Sequence, residues 1–547
     1  MSKGHMIIMG GFIELHDNMF EQADDLTEYW WPSLKRSAGS HRIATVLREE
    51  GYDVEVLDFW PAWSRLQLIQ FFQTHVREDT LAIGLSVMFP FGNIARKGVG
   101  AKNKILEMLQ TIKFVKELYP HVKFVGGSQN LVALTDWDLD YYVTGYAELA
   151  ISELLKYFKR EFNSLKITER RLDHKKINVI DSLHDYPAYP MPTAHIKYEE
   201  RDYIKPTEVL SLELSRGCKF ACKFCAFSLL GVRGDYSRCK DSLREELLDN
   251  YNRWGVTNYN CTDETINDKP EKLAKYAEVI RSLPFQPHMG GFMRADLLVA
   301  KPGTWQDLYD MGLRSHYYGL ESFNHEAAKY VGKGMNPDKL KSGLLEVQKW
   351  FKDKEAGRGD YNVHTSIILG LPGETKESFL EGADWLKNNF GGHSYGISVL
   401  YMGDSTMANF LSHPSEFEVT WREGDVFRQL SLENLKELDK ADPIKDPEIR
   451  IEIFERNQVK WEHDTMNIWD AYKTFDEMMA DPNSLKNHVS GPGPFSYHRF
   501  LTTGKYTMQD IYDNTYGENG FEQITDSDIN SHREFLNDYI NKKLGKE

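Results

Sequence analysis

Cys218, Cys222 and Cys225 fall within eight positions in the stretch SRGCKFACKFCAFSLLG, in a chain of 547 residues that contains only five cysteines. Soft thiolates at C-x3-C-x2-C spacing are the donors of iron–sulfur or zinc centres. A structural zinc site takes four protein ligands, usually as two separated pairs. Cys239 could supply a fourth, but it has no pair of its own, so a zinc module built on these four cysteines stays an alternative. Three packed core cysteines fit poorly beside Lys219 and Lys223. Three thiolates on a four-iron cluster leave one iron open, and an open iron can hold a substrate.

The elements around this loop say where it sits. From Thr207 to about Met402 the pattern predicts six strands, near Val209–Leu214, Asn258–Cys261, Met289–Met293, His316–Leu320, Val363–Leu369 and Gly396–Tyr401, with helices between them. One of those helices, in SLREELLDNYNRWG, is expected to start on Ser242 as N-cap, with Glu245 three residues on and Gly255 closing it. Six strand–helix units imply a partial TIM-type (β/α)6 barrel, whose site collects at the carboxyl ends of the strands. The cysteine loop follows the first strand, at that end.

Residues up to about Phe158 show a second alternating series, with strands at His5–Met9, Asp53–Asp58, Leu81–Val87, Lys123–Gly126 and Tyr141–Thr144. This is an α/β, doubly wound Rossmann-like pattern, and its ligand segments would be GGF, SVMF and GGSQN after the first, third and fourth strands. The charged, proline-rich stretch between the two series reads as a linker with little regular structure. The expected domains are 1–160, a linker at 161–205, 206–408, and a mainly helical, aromatic C-terminal region at 409–547. That last region reads as ordinary helical packing or as a lid over the barrel.

The cysteine motif, with Phe224 just before its last cysteine, resembles the signature of radical S-adenosylmethionine (SAM) enzymes. The resemblance implies that the open iron of a 4Fe-4S cluster chelates the amino and carboxylate groups of SAM, and that the reduced cluster cleaves SAM to a 5'-deoxyadenosyl radical. Later strand ends carry matching segments in order. CTDETIND offers Asp263 or Glu264 to the SAM ammonium, and FMRADLL offers Arg294 to its carboxylate. GLES places Glu321 and Ser322 near the ribose, and LGLPGET places the backbone of Ile368–Gly370 beside the adenine. VLYMGDSTM resembles a segment that often reads P-G-T. Each piece alone has an ordinary reading as a solvated cap, a turn before an N-capped helix, or a surface ion pair. Together, behind the cysteine loop, they favour the ligand. Cys261 reads as a small buried residue and Cys239 as a packing or loop residue.

The first domain resembles the cobalamin-binding-like domain that precedes the barrel in one large radical SAM class. The carriers are RIATVLREEGYDVEVLDF, GLSVMF, VKFVGGSQN and DYYVTGYAELAISELL. In the last, Tyr146-Ala147 replace the first acidic residue of the class pattern and Glu148 keeps the second. Ser86, Gly126 and Gly127 sit where backbone would approach a corrin, an approach that glycine permits. No D-x-H-x-x-G follows a first-domain strand, and His16 and His41 read as surface or packing residues. Relatives of this class either bind cobalamin without such a histidine or keep the domain as scaffold, so corrin binding stays open.

Composition narrows the classes further. No apolar run approaches the roughly 18 residues of a membrane span, and the start, MSKGHMIIMGGF, reads as a strand and not a signal peptide. The sparse, odd cysteine count fits a reducing cytoplasm. A net charge of -16 argues against a broad electrostatic grip on nucleic acid. The expected activity is radical attack on an unactivated C–H bond of a small or medium-sized substrate, with methyl transfer if cobalamin is bound and ring formation, rearrangement or oxidation if not. The resemblance implies an electron donor such as flavodoxin or ferredoxin. A methylthiotransferase is disfavoured, because the first domain lacks the three cysteines of a second cluster.

Overall fold

The computed structural model describes residues 2–10, 12–13, 34–86, 99–127, 138–161, 164–172, 175–182, 195–225, 236–354, 361–389, 394–402, 413–414, 419–420, 426–455, 459–480 and 526–546. His16, the segments after Ser86 and Gly127, residues 403–407, GPGPFSYHRF and YTMQDIYDNTYG lie outside them.

The first sheet has seven strands: β1 (His5–Met9), β2 (Asp53–Leu57), β3 (Thr80–Ser86), β4 (Lys123–Gly127), β5 (Tyr141–Thr144), β6 (Thr168–Leu172) and β7 (Lys175–Asp181), in the order β2-β1-β3-β4-β5-β7-β6. All neighbours are parallel except the hairpin β6–β7. The central strands are covered on both faces, which is why Met6–Met9 reads as an unbroken apolar run and every residue of β1 is buried. The stretch expected to be an irregular linker supplies β6 and β7. Its charges lie on an edge hairpin, while Ile177, Val179 and Ile180 point inward and are buried; charged side chains are how edge strands resist unwanted pairing.

The second sheet has six parallel strands in chain order: β8 (Val209–Leu212), β9 (Asn258–Cys261), β10 (His288–Met293), β11 (Leu313–Glu321), β12 (Asn362–Leu369) and β13 (Ser394–Val399). This is the expected partial barrel. Cys261 is fully buried in its core. The helix after the cysteine loop begins one turn earlier than its sequence suggests: it runs Lys240–Trp254, and the Cys239 thiol accepts from the Ser242 N–H at 3.4 Å. The Ser242 hydroxyl is instead taken by Arg238 Nε at 3.0 Å.

The described part of the C-terminal region divides between the two cores. Residues from Phe427 to Met478 join the barrel core, whereas Phe535, Leu536, Tyr539, Ile540 and Leu544, on and just after the helix Asp526–Lys543, pack into the first domain. Buried ions span the seam between domains. Arg36 binds Asp58 at 2.7 Å and Glu208 at 2.6 Å, beneath the Tyr539 ring. His41 is fully buried, bonded to Asp58 at 2.8 Å and packed on Tyr198, a structural place in keeping with its reading as a packing residue.

Candidate active site

The cysteine loop is suspended between strand ends. Two residues past β8, the Leu214 N–H donates to Asp263 Oδ2 at 2.9 Å and the Ser215 hydroxyl to Asp263 Oδ1. Asp263 is buried, and burial lifts its carboxyl to about 6 even with these two donors and Lys272 pulling it down. It acts as a clamp on the entry to the loop. Glu264 is half-buried instead. Burial, then repulsion from Asp263 and Glu213, raises it to about 8. The Tyr146 phenol feels the Glu264 and Glu213 carboxylates and is raised by burial first, so the acidic mouth of the barrel faces the first domain. Glu148, at the start of the helix Glu148–Phe158, is buried and paired with Arg216, two positions before Cys218.

Within the loop, Cys218, Cys222 and Cys225 are in the thiol form, outside any disulfide, and half-buried. The Cys225 N–H donates to Cys222 O at 3.0 Å, Lys223 N–H to Val331 O at 3.3 Å, and Lys219 Nζ to Asp268 O at 2.6 Å. Cys218 Sγ lies 3.9 Å from Thr265 Oγ1, and Cys222 Sγ accepts from Arg294 Nη1 at 3.4 Å. Burial raises the Cys222 thiol, with Lys333 and then Arg294 pulling it back. Among the described residues, no three His, Cys, Asp or Glu side chains are gathered closely enough to hold a single metal ion. Three half-buried thiols on one loop, with the Arg294 guanidinium on the middle one and the Lys333 charge in its field, fit an anionic thiolate-bound cluster.

The other expected contacts line neighbouring strand ends. Glu321 closes β11 with a left-handed backbone (φ 66°), a strained choice for a residue with a side chain, and Lys333 binds its carboxylate at 2.7 Å. The Ser322 hydroxyl donates to Glu374. Phe224 is half-buried beneath the Lys333 ammonium, 5.9 Å from its ring. Ile368 is half-buried near the end of β12, one residue before Leu369 and two before Gly370. All three Arg294 side-chain nitrogens are engaged with protein groups: Asp296, Cys222 and Gly332 O. In the first domain, Ser86 and Gly127 are register partners at the carboxyl edge of β3 and β4, beside the pair Leu85 and Gly126. Among the described residues, the nearest atom to a Cβ on Gly127 would be Leu85 O at 3.9 Å.

Residues 212–386 match the radical SAM superfamily. They are a radical SAM domain. An uncharacterized methyltransferase of Pyrococcus horikoshii is 22% identical over 165 residues, 30% of this chain and 33% of that protein. The ribosomal protein methylthiotransferase RimO of Vibrio cholerae is 23% identical over 239 residues, 39% of this chain and 47% of that protein. The matches thus span about a third to a half of these curated relatives. The structure of the radical SAM methyltransferase TsrM from Kitasatospora setae, with cobalamin and a [4Fe-4S] cluster bound, aligns at TM-score 0.60 over 98% of this chain and 100% of that one, at 13% identity. The cobalamin-dependent SAM radical enzyme OxsB, with aqua-cobalamin bound, aligns at 0.53 over 99% and 80%, also at 13% identity. Both likenesses are likenesses of fold.

Several residues of the radical SAM domain's surroundings escape a reading of the motifs. Trp461 and His463, far along the chain, stack at 5.4 Å beneath Gly370, and His463 Nε2 bonds Gly370 O at 3.0 Å. The tail therefore buttresses the strand end assigned to adenine. Gly370 has φ 102°, and a Cβ there would lie 2.4 Å from the Trp461 ring. Gly370→Ala should therefore cost about 2 kcal/mol of stability and weaken SAM binding, measured by thermal denaturation and by calorimetric titration of SAM.

Glu374 is the second omission, although it stands inside LPGET. It is buried, its Oε2 has no hydrogen-bond partner among the described residues, and burial pushes its carboxyl from 4.5 to about 8 against the Ser322 bond. A carboxyl raised on folding gives stability that is complete below its unfolded pKa and is lost as pH rises through the folded one. Wild type should thus lose roughly 3–5 kcal/mol more than Glu374→Gln as pH climbs between those two values, at about 1.4 kcal/mol per pH unit. Denaturant titrations of both proteins at pH 5 and pH 8 test this, and parallel losses would show that Glu374 does not carry the effect.

Proposed function

We propose that this protein is a cobalamin-dependent radical SAM enzyme that transfers a methyl group to an unactivated centre of a small or medium-sized substrate held between its first domain and its barrel. The observation that carries the reading is the likeness to TsrM, which runs through both domains and nearly the whole of each chain. Cys218, Cys222 and Cys225 would hold a 4Fe-4S cluster, which when bound and reduced supplies an electron for cleavage of SAM. A corrin at the Ser86 and Gly126-Gly127 edge would supply a methyl carrier.

The chain's own groups position the co-substrate. Asp263 is already committed to Leu214 and Ser215, which leaves Glu264 as the acceptor for the SAM ammonium. A cation there would offset the burial and repulsion that now favour its neutral form. Glu321 and Ser322 would meet the ribose, and the Ile368–Gly370 backbone the adenine. The functional units would be 1–160, 206–408 and the tail, with a flavodoxin or ferredoxin as reductant. Among the described residues, no helix is long and apolar enough to cross a membrane, and we assign the protein to the cytoplasm.

A second reading, radical C–H chemistry without a corrin or methyl transfer, rests on the radical SAM match of residues 212–386, which by itself implies neither. Anaerobic reconstitution with iron, sulfide and hydroxocobalamin, followed by reduction to cob(I)alamin and addition of methyl-labelled SAM, separates the two. One corrin per chain, with transfer of the labelled SAM methyl group to cobalamin, supports the first. SAM cleavage to 5'-deoxyadenosine with no corrin retained would overturn it and leave the second.

A further inference from the structure

We infer that Arg294 is a positioning residue for the metal centre: clamped by Asp296, its guanidinium holds a charged hydrogen bond on the Cys222 sulfur and raises the reduction potential of a cluster bound there. The inference rests on the radical SAM reading and assigns Arg294 a task other than meeting the SAM carboxylate.

The geometry leaves the guanidinium little freedom. Arg294 Nε and Nη2 bind the two Asp296 oxygens at 3.0 and 2.6 Å, Nη2 also bonds Gly332 O at 3.2 Å, and Nη1 reaches Cys222 Sγ at 3.4 Å. The guanidinium carbon lies 4.2 Å from the Phe220 ring centre. The backbone is fixed as well, since Asn267 exchanges two bonds of 2.9 Å with the Arg294 N–H and C=O. The cysteine loop hangs from the same support: Lys223 N–H bonds Val331 O, and a Cβ on Gly332 would lie 3.9 Å from the Cys222 Cα. Arg294 and Cys222 are therefore both referenced to residues 331–332, and the arginine is only 7% exposed. An exposed Arg–Asp pair would be an ordinary surface contact; here one guanidinium nitrogen is aimed at a sulfur.

A positive donor on a ligating thiolate withdraws electron density and favours the more negative, reduced state of the centre. Hydrogen bonds to sulfur and net charge are among the main determinants of cluster potential. Lysine could keep the charge but not the fork that grips Asp296 on one side while reaching sulfur on the other.

The test is the one-electron reduction of the reconstituted cluster, without SAM or substrate, titrated with dithionite and followed by electron paramagnetic resonance. Wild type, Arg294→Gln, Arg294→Lys and Asp296→Asn are compared at equal iron and sulfide content. Arg294→Gln should make reduction about tenfold less favourable, ~59 mV for one electron. Arg294→Lys should recover part of this, and Asp296→Asn should show a smaller fall in the same direction. An unchanged potential in a fully loaded Arg294→Gln protein overturns the inference. If that variant does not load, an unchanged potential in Asp296→Asn overturns it instead. Wild type that takes up no iron and sulfide would sink the radical SAM reading itself, whereas wild type that cleaves SAM beside an unshifted variant sinks only the role of Arg294.

Discussion

Cys222→Ala is expected to reduce SAM cleavage to background and to lower bound iron below about four per chain, whereas Cys239→Ala should leave both unchanged. Cys222 is the middle thiol of the loop; the Arg294 guanidinium donates to it and the Lys333 charge favours its thiolate. Removing it takes away one of only three ligands and leaves Arg294 Nη1 without its acceptor, so no neighbouring group can substitute. The four remaining cysteines include Cys261, sealed in the barrel core, and Cys239, whose sulfur caps the helix Lys240–Trp254. Loss of that cap should cost no more than about 1 kcal/mol. Iron and sulfide analysis together with 5'-deoxyadenosine formation checks both variants. Equal loss of metal from both would restore the four-cysteine zinc alternative, in which Cys239 is a ligand.

What could be read from sequence was whatever is local. C-x3-C-x2-C, the strand ends and the order of the segments behind them need only neighbouring residues, and the two parallel sheets follow from runs of apolar residues separated by amphipathic helices. Choices that depend on burial or on distant partners could not be read. Asp263 and Glu264 look equivalent in CTDETIND, yet the fold gives Asp263 two donors from the loop entry and leaves Glu264 at the mouth. Ser242 has the right chemistry for a cap, but Arg238 claims its hydroxyl and the thiol three residues earlier takes the N–H. The hairpin β6–β7 was hidden by its charges. Trp461 under Gly370 is separated from it by 91 positions, and nothing in the tail's aromatic composition points to that one glycine.

Arg36→Met should destabilise the protein by about 3–5 kcal/mol, the cost of breaking a buried ion pair from one side. The guanidinium is 4% exposed and neutralises two carboxylates, Asp58 at 0% and Glu208 at 2% exposed. Methionine matches much of its volume but leaves both acids buried with less compensation, although His41 still reaches Asp58 at 2.8 Å. If stranded charge is the cause, Arg36→Met/Glu208→Gln should recover part of the loss, because Glu208 is then neutral and Asp58, the one acid left, keeps its bond to His41. If the loss were one of packing against Phe59 and Tyr539, the second substitution would recover nothing. Thermal denaturation of the three proteins, followed by fluorescence, distinguishes these causes. The seam also bears on chemistry. Glu208 directly precedes β8, the strand that leads into the cysteine loop, while Asp58 follows β2 of the first sheet. Arg36 thus ties the sheet assigned to the methyl carrier to the strand that carries the thiolates. Its loss should lower turnover by more than it lowers iron content, since the loop's own bonds to Asp263 and Val331 do not pass through the seam.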